Sequence, residues 1–348
     1  MNWRLAESVA CRVARHEPLA SSYHYESVAR DFAELTPIAE HLVEIETGLT
    51  SAKGRATAQV VDRDVWIRAN LMSFQQLLGP LLQRLDPPIV IPFDLARHAI
   101  RNAAALEIGG LLGWMSGRVL GQYDALGASG EADDLLIVGP NVLALEKRFA
   151  FPPREFRLWL ALHELTHRMQ FTGVPWMRQH YVELVHQLLD DVDADTVRVL
   201  KLMRDIVRPG VARRAVEEAG IMGLFASPKQ REAMSKIGGL MALLEGHGDV
   251  VMNRAGTNLI PSAGRFHAVL GARRATGSPM TKFLRTIVGL EAKLNQYEQG
   301  EAFIAAIEAE HGPRSIDRAW ESPDNLPTLD EIRMPELWSA RLGLAPVR

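Results

Sequence analysis

His163, Glu164 and His167 are the residues whose types and spacing most directly suggest chemistry. They stand in Leu160-Ala161-Leu162-His163-Glu164-Leu165-Thr166-His167, an H-E-x-x-H pattern inside an apolar run. Residues four apart share a helical face, so the two imidazoles can offer nitrogens to one cation. Glu164, beside the first of them, can reach a water on that cation without ligating it. The pattern supplies a Lewis acid, an activated water and a base, and Zn²⁺ suits the imidazole donors. With 11 His and 42 Asp plus Glu in 348 residues, it would arise by chance in roughly 2–3 of a hundred such chains. The bland alternative is a helix with two incidental histidines. Leu158, Leu160, Leu162 and Leu165 argue against it, because unpaired polar groups in apolar surroundings are costly and a cation removes that cost.

A catalytic zinc needs a third protein ligand and an open position. The extended pattern H-E-x-x-H-x-x-G-x-x-H does not provide one here: Gln170 stands at its glycine and Gly173 at its last histidine. Downstream, Leu243-Leu244-Glu245-Gly246-His247-Gly248-Asp249-Val250-Val251-Met252 contains E-x-x-x-D. On one helical face, Glu245 would be the third ligand, and Asp249 would accept the second ring N–H of a zinc histidine and fix its tautomer. Such spacings also occur by chance in acidic helices. His247 is the competing ligand. A regular helix turns it roughly 200° from Glu245, while Gly246 and Gly248, at about 1 kcal/mol each in a helix, would permit distortion. Otherwise His247 would polarise a substrate carbonyl or simply pack. The glycines would serve close approach to the zinc helix.

Other blocks accompany these residues: Thr47-Gly48-Leu49, Val61-Asp62-Arg63 with Trp66 and Asn70, Val119-Leu120-Gly121-Gln122-Tyr123-Asp124, Gly139-Pro140-Asn141-Val142, and Phe156-Arg157-Leu158-Trp159. Gln170-Phe171, Val174-Pro175-Trp176 and Gln296-Tyr297-Glu298-Gln299-Gly300 complete the set. With them the chain resembles the zincin-like metallopeptidase type 2 family, found largely in actinobacteria and chloroflexi, over about residues 3–338. The resemblance implies a mainly helical, zincin-like fold and a zinc-dependent, peptidase-like hydrolase. It makes Tyr297 and His247 the candidates for an oxyanion donor, although Tyr297 reads equally as a core aromatic with a wet hydroxyl.

The net charge of -3 carries no nucleic-acid footprint and gives no reason for electrostatic membrane binding. A single cysteine, Cys11, excludes an internal disulfide framework and suits a reducing cytoplasm. Arg4, Glu7, Arg12 and Arg15 interrupt any secretory signal, and the apolar stretch from Ile108 to Met115 is too short to span a bilayer. Gly109, Gly113 and Gly117 in that region mark tight helix packing. A soluble, cytoplasmic protein is expected.

The elements that must position the site read as mainly α with a small β element. Residues 1–118 are expected to form an N-terminal helical lobe, with helices over Ser27–Glu46, Asp64–Leu85 and Asp94–Val119, bent or split at Pro37 and Pro80. Residues 119–348 would form the catalytic lobe. There Leu135-Leu136-Ile137-Val138 reads as a strand with a partner near Gln122-Tyr123. This segment is either the candidate for pairing with an extended substrate or, equally, a purely structural hairpin. Helices follow over Arg154–Gln170, on to about Gly220, over Gly238–Ala255 and over Met280–Glu310. Asp190, Asp191, Asp193 and Asp195 read as a solvated face, and the proline-bearing tail as extended. The expected function is zinc-dependent hydrolysis of a peptide, protein or small amide. The competing reading is a zinc-stabilised binding or scaffold protein without turnover.

Overall fold

Periodic apolar positions become helices through most of the chain, whose computed structural model describes residues 1–15, 19, 24–84, 94–124, 134–190, 227–275 and 296–347. These belong to two compact units, Met1–Gly173 with Val251–Pro279, and Val174–Val250 with Met280–Arg348. The boundary expected near residue 118 falls inside the first unit. Among the described residues, no helix is long and apolar enough to cross a membrane.

The first unit opens with α1 (Trp3–Ala14), α2 (His24–Thr47), β1 (Thr57–Val61), α3 (Arg63–Arg84) and α4 (Asp94–Ser116). Pro37 lies within α2 without splitting it. The glycine stripe is the crossing of α1 and α4: a Cβ on Gly109 or Gly113 would stand 2.5 Å from the carbonyl oxygen of Ala6 or Ala10. Next come β2 (Gly121–Tyr123), β3 (Asp134–Val138), α5 (Gly139–Phe149) and α6 (Pro153–Thr172). The sheet order is β1-β3-β2. β3 pairs antiparallel with β2, as the sequence suggests, and parallel with β1, from Thr57↔Asp134 to Val61↔Val138. β1 escaped the sequence reading because Thr-Ala-Gln-Val-Val is short and buries only its last side chain.

α6 runs through the core of this unit. Phe156, Trp159, Leu162, Leu165 and Met169 pack with Val28, Phe32, Leu35, Ala39 and Val43 of α2 and with Leu135 and Ile137 of β3. Phe151, Phe156 and Phe266 meet at centroid distances of 4.8–5.3 Å, with mutual tilts that suit the ring quadrupoles.

In the second unit α7 (Met177–Asp190) is followed by α8 (Pro228–Gly256), whose last residues, from Val251, belong to the first unit. α9 (Ala263–Ala275) also belongs to the first unit, and α10 (Gln296–His311) to the second. The tail corrects an expectation. It is not extended but forms 3-10 turns at Ser315–Trp320 and Pro323–Asn325, then α11 (Leu329–Arg333) and α12 (Pro335–Leu342). Pro323 and Pro335 sit at first-turn positions, where a missing N–H costs nothing, and Thr328 with Glu331 forms a capping box. The acidic cluster's side chains, Pro87-Pro88, the segment toward Gly220 and the apolar face from Leu284 to Leu294 lie outside the described residues.

Candidate metal centre

One turn of α6 brings the Nε2 atoms of His163 and His167 to 3.2 Å, with the rings nearly perpendicular at 83°. Zinc–imidazole bonds of about 2.0–2.1 Å at a tetrahedral angle would set the two nitrogens about 3.3–3.4 Å apart. The observed pair fits a shared zinc ion. Leu162 and Leu165, on the opposite side of the helix, are fully buried, which fixes the rotation of α6 and the direction of the histidine face.

Glu164 is buried (6% exposed) and lies against β2. A Cβ on Gly121 would come within 2.8 Å of Glu164 Oε1 and 2.9 Å of its Cδ, so only glycine leaves room for this carboxylate. β2 is wedged in place from both faces. Tyr123 meets Phe171 of α6 with ring centroids 6.1 Å apart, and Gln122 Nε2 donates to Asn70 Oδ1 of α3 at 3.1 Å. Gly121→Ala is therefore expected to push the Glu164 carboxylate aside. Bound zinc should be unchanged while kcat falls about 100-fold, the effect typical of a ~1 Å misplacement; parallel metal content and turnover measurements check this.

Asn141 holds the approach to β2. Its Nδ2 donates to the carbonyls of Ser116 and Val119, both at 2.6 Å, and its Oδ1 accepts from Arg63 Nε at 2.9 Å and Nη2 at 2.7 Å. Asn141 and Arg63 were legible in the sequence only as parts of separate blocks. Their side chains meet and set the turn that delivers Gly121 to Glu164.

Gln170 is a further residue whose role the sequence reading missed. It is fully buried, and its Oε1 lies 2.9 Å from Nδ1 of His167. Its three-residue offset from His167 was the available signal.

Glu245, His247 and Asp249 all lie on α8, Glu245 partly exposed and the other two buried. The helix continues through Gly246 and Gly248, so Glu245 and His247 project roughly 200° apart. The His247 ring packs edge-on against Trp320, with centroids 5.0 Å apart. Gly246 corrects another expectation. Its close approach is to the backbone of Gly300 and Glu301 in α10, and Gly300 in turn abuts Ala242. Tyr297 lies in the first turn of α10, but its side chain is outside the described residues.

The family model of zincin-like metallopeptidases matches residues 1–339. The chain belongs to this family. A crystal structure from Chloroflexus aurantiacus, reported as a candidate hydrolase with a novel fold, is similar over 99% of both chains, at 29% identity and a TM-score of 0.75. No match was found among curated proteins. In this zincin-like chain, the H-E-x-x-H helix, the adjoining short sheet and the glycine beside the motif's glutamate are parts of one unit. Zinc binding is a general property of the family.

Proposed function

We propose that the chain is a zinc-dependent hydrolase that cleaves a peptide or amide bond with metal-activated water. The observation that carries this reading is the pair of histidine Nε2 atoms 3.2 Å apart on a helix that also presents Glu164 beside a strand. The hydrolase description of the Chloroflexus protein supports it. His163, His167 and Glu245 would hold the ion, the two histidines from one face of α6 and the glutamate from the E-x-x-x-D stretch of α8. A bound Zn²⁺ would supply Lewis-acid polarisation of the scissile carbonyl and would acidify water.

Glu164 takes a proton from the attacking water onto its carboxylate and hands it to the leaving nitrogen. Asp249 orients a zinc histidine and Tyr297 donates to the developing oxyanion, whereas His247, turned away from Glu245 and packed on Trp320, is left a structural role. A peptide is favoured as substrate by the alternation of β2. Val138 N–H donates to Leu120 O at 2.9 Å, so residues 120 and 122 bond toward β3, and the backbone groups of Gly121 point to the other edge. An extended peptide pairing there would run past Glu164. A single cysteine, Cys11, suits the proposed reducing, cytoplasmic setting, and its thiol, whose pKa is raised to about 11 chiefly by burial, is a poor nucleophile at neutral pH.

The test is bound zinc per chain under limiting metal. Wild type should carry about one, and Glu245→Ala should weaken binding by more than the ~10–100-fold typical of losing an outer hydrogen-bond partner. Zinc retained without Glu245 would remove it from the ligand set. Zinc absent from the wild type would overturn the zinc hydrolase, and stoichiometric zinc without turnover on any peptide or amide would leave a zinc-stabilised scaffold.

A further inference from the structure

Gln170 occupies a position that the extended three-histidine motif gives to glycine, and here α6 runs past it to Thr172. Three residues beyond His167, it lies on the same side of the helix. Burial obliges its amide to use its hydrogen-bonding groups, and its Oε1 is 2.9 Å from His167 Nδ1. A carbonyl oxygen can only accept, so the proton must sit on Nδ1. A neutral imidazole carries one ring proton, which leaves Nε2 a lone pair. That Nε2 is the atom 3.2 Å from His163 Nε2.

We propose that Gln170 is a positioning residue of the metal centre, which selects the Nδ1–H tautomer of His167 and aims its Nε2 lone pair at the ion. This rests on the zinc site proposed above. A glycine here would remove the acceptor and leave the ring free to rotate and to exchange tautomers. A neutral amide fixes the ring while raising its basicity less than a carboxylate would. The residue thereby tunes how strongly zinc is held as well as where.

Two measurements on the full chain test the proposal. The first is zinc affinity by competition with a chelator, for wild type, Gln170→Leu and Gln170→Glu. Leucine, with no acceptor, is expected to weaken binding about 10–100-fold, whereas glutamate should retain or exceed wild-type affinity. A leucine variant within about threefold of wild type, or equal losses in both variants, would overturn the role, because loss of packing would not spare glutamate. The second is the ring ¹⁵N spectrum of His167 in the metal-free protein. Wild type should show a protonated Nδ1 and a bare Nε2, with mixed tautomers in Gln170→Leu. A proton on Nε2 in wild type would mean that the amide donates to Nδ1, and would overturn the proposal. A wild type that binds no zinc would defeat the zinc reading instead, and the ring spectrum would still decide the role of Gln170. Should Gln170→Leu not fold, Gln170→Glu and the wild-type spectrum decide it.

Discussion

Glu164→Gln should lower kcat/KM by about 10²–10⁴-fold and leave bound zinc unchanged. Glutamine has the shape of glutamate and fits the space left by Gly121, where even a single methyl group would stand 2.9 Å from the carboxylate carbon. It cannot take a proton from water at neutral pH. In the proposed ligand set Glu164 is not a donor, since His163, His167 and Glu245 fill that role. Zinc content and kcat/KM measured on the same preparation separate the two functions. Full activity in the glutamine variant would sink the assignment of Glu164 as base. Loss of zinc along with activity would make it a ligand.

The second large effect concerns stability. Arg168 immediately follows His167, and its guanidinium is fully buried against Glu40 of α2, with Nη1 2.8 Å from Oε1 and exposures of 0% and 1%. Nη2 donates to the Gly54 carbonyl at 2.8 Å, and Glu40 Oε1 also accepts from the Ala56 N–H at 3.0 Å. Arg168→Met would take from the buried Glu40 carboxylate its buried cation, leaving, among the described residues, the Ala56 N–H and the largely exposed Arg55 as its partners. Removing one partner of such a pair is expected to destabilise the fold by about 3–5 kcal/mol, whereas the double variant Arg168→Met/Glu40→Leu should recover much of that loss. Urea unfolding of the two variants is the check. A loss below about 1 kcal/mol in the single variant would place the pair with ordinary surface bridges.

Arg157 does the same work nearer the start of α6. Its Nε and Nη2 bond the Glu146 carboxylate at 2.8 Å each, and Nη1 reaches Asp31 at 2.7 Å. Burial disfavours its charge, but the bonds to Glu146 and Asp31 outweigh that and raise its pKa. The helix bearing the histidine pair is thus tied down on both sides of the motif by buried arginines. Each imidazole's direction then depends on a fixed helix and not on a flexible loop.

The sequence by itself determined what depends on neighbours along the chain. The four-residue offset of His163 and His167 makes them meet on any helix, and leucines on the other side set which face they share. The periodic apolar positions of α2, α3 and α6, the short run of β3 and the glycine stripe of α4 were legible for the same reason. Only the tertiary structure decided what crosses the chain. Gly121 makes room for Glu164, Asn141 meets Arg63, Arg168 finds Glu40, His247 packs on Trp320, and Gly246 abuts Gly300 where an approach to the zinc helix was expected. Tail prolines that read as extended start short helices instead, because proline fits a first turn as readily as an extended segment. A local pattern sets a residue's face and period; which distant residue fills the space opposite is set by how the elements pack.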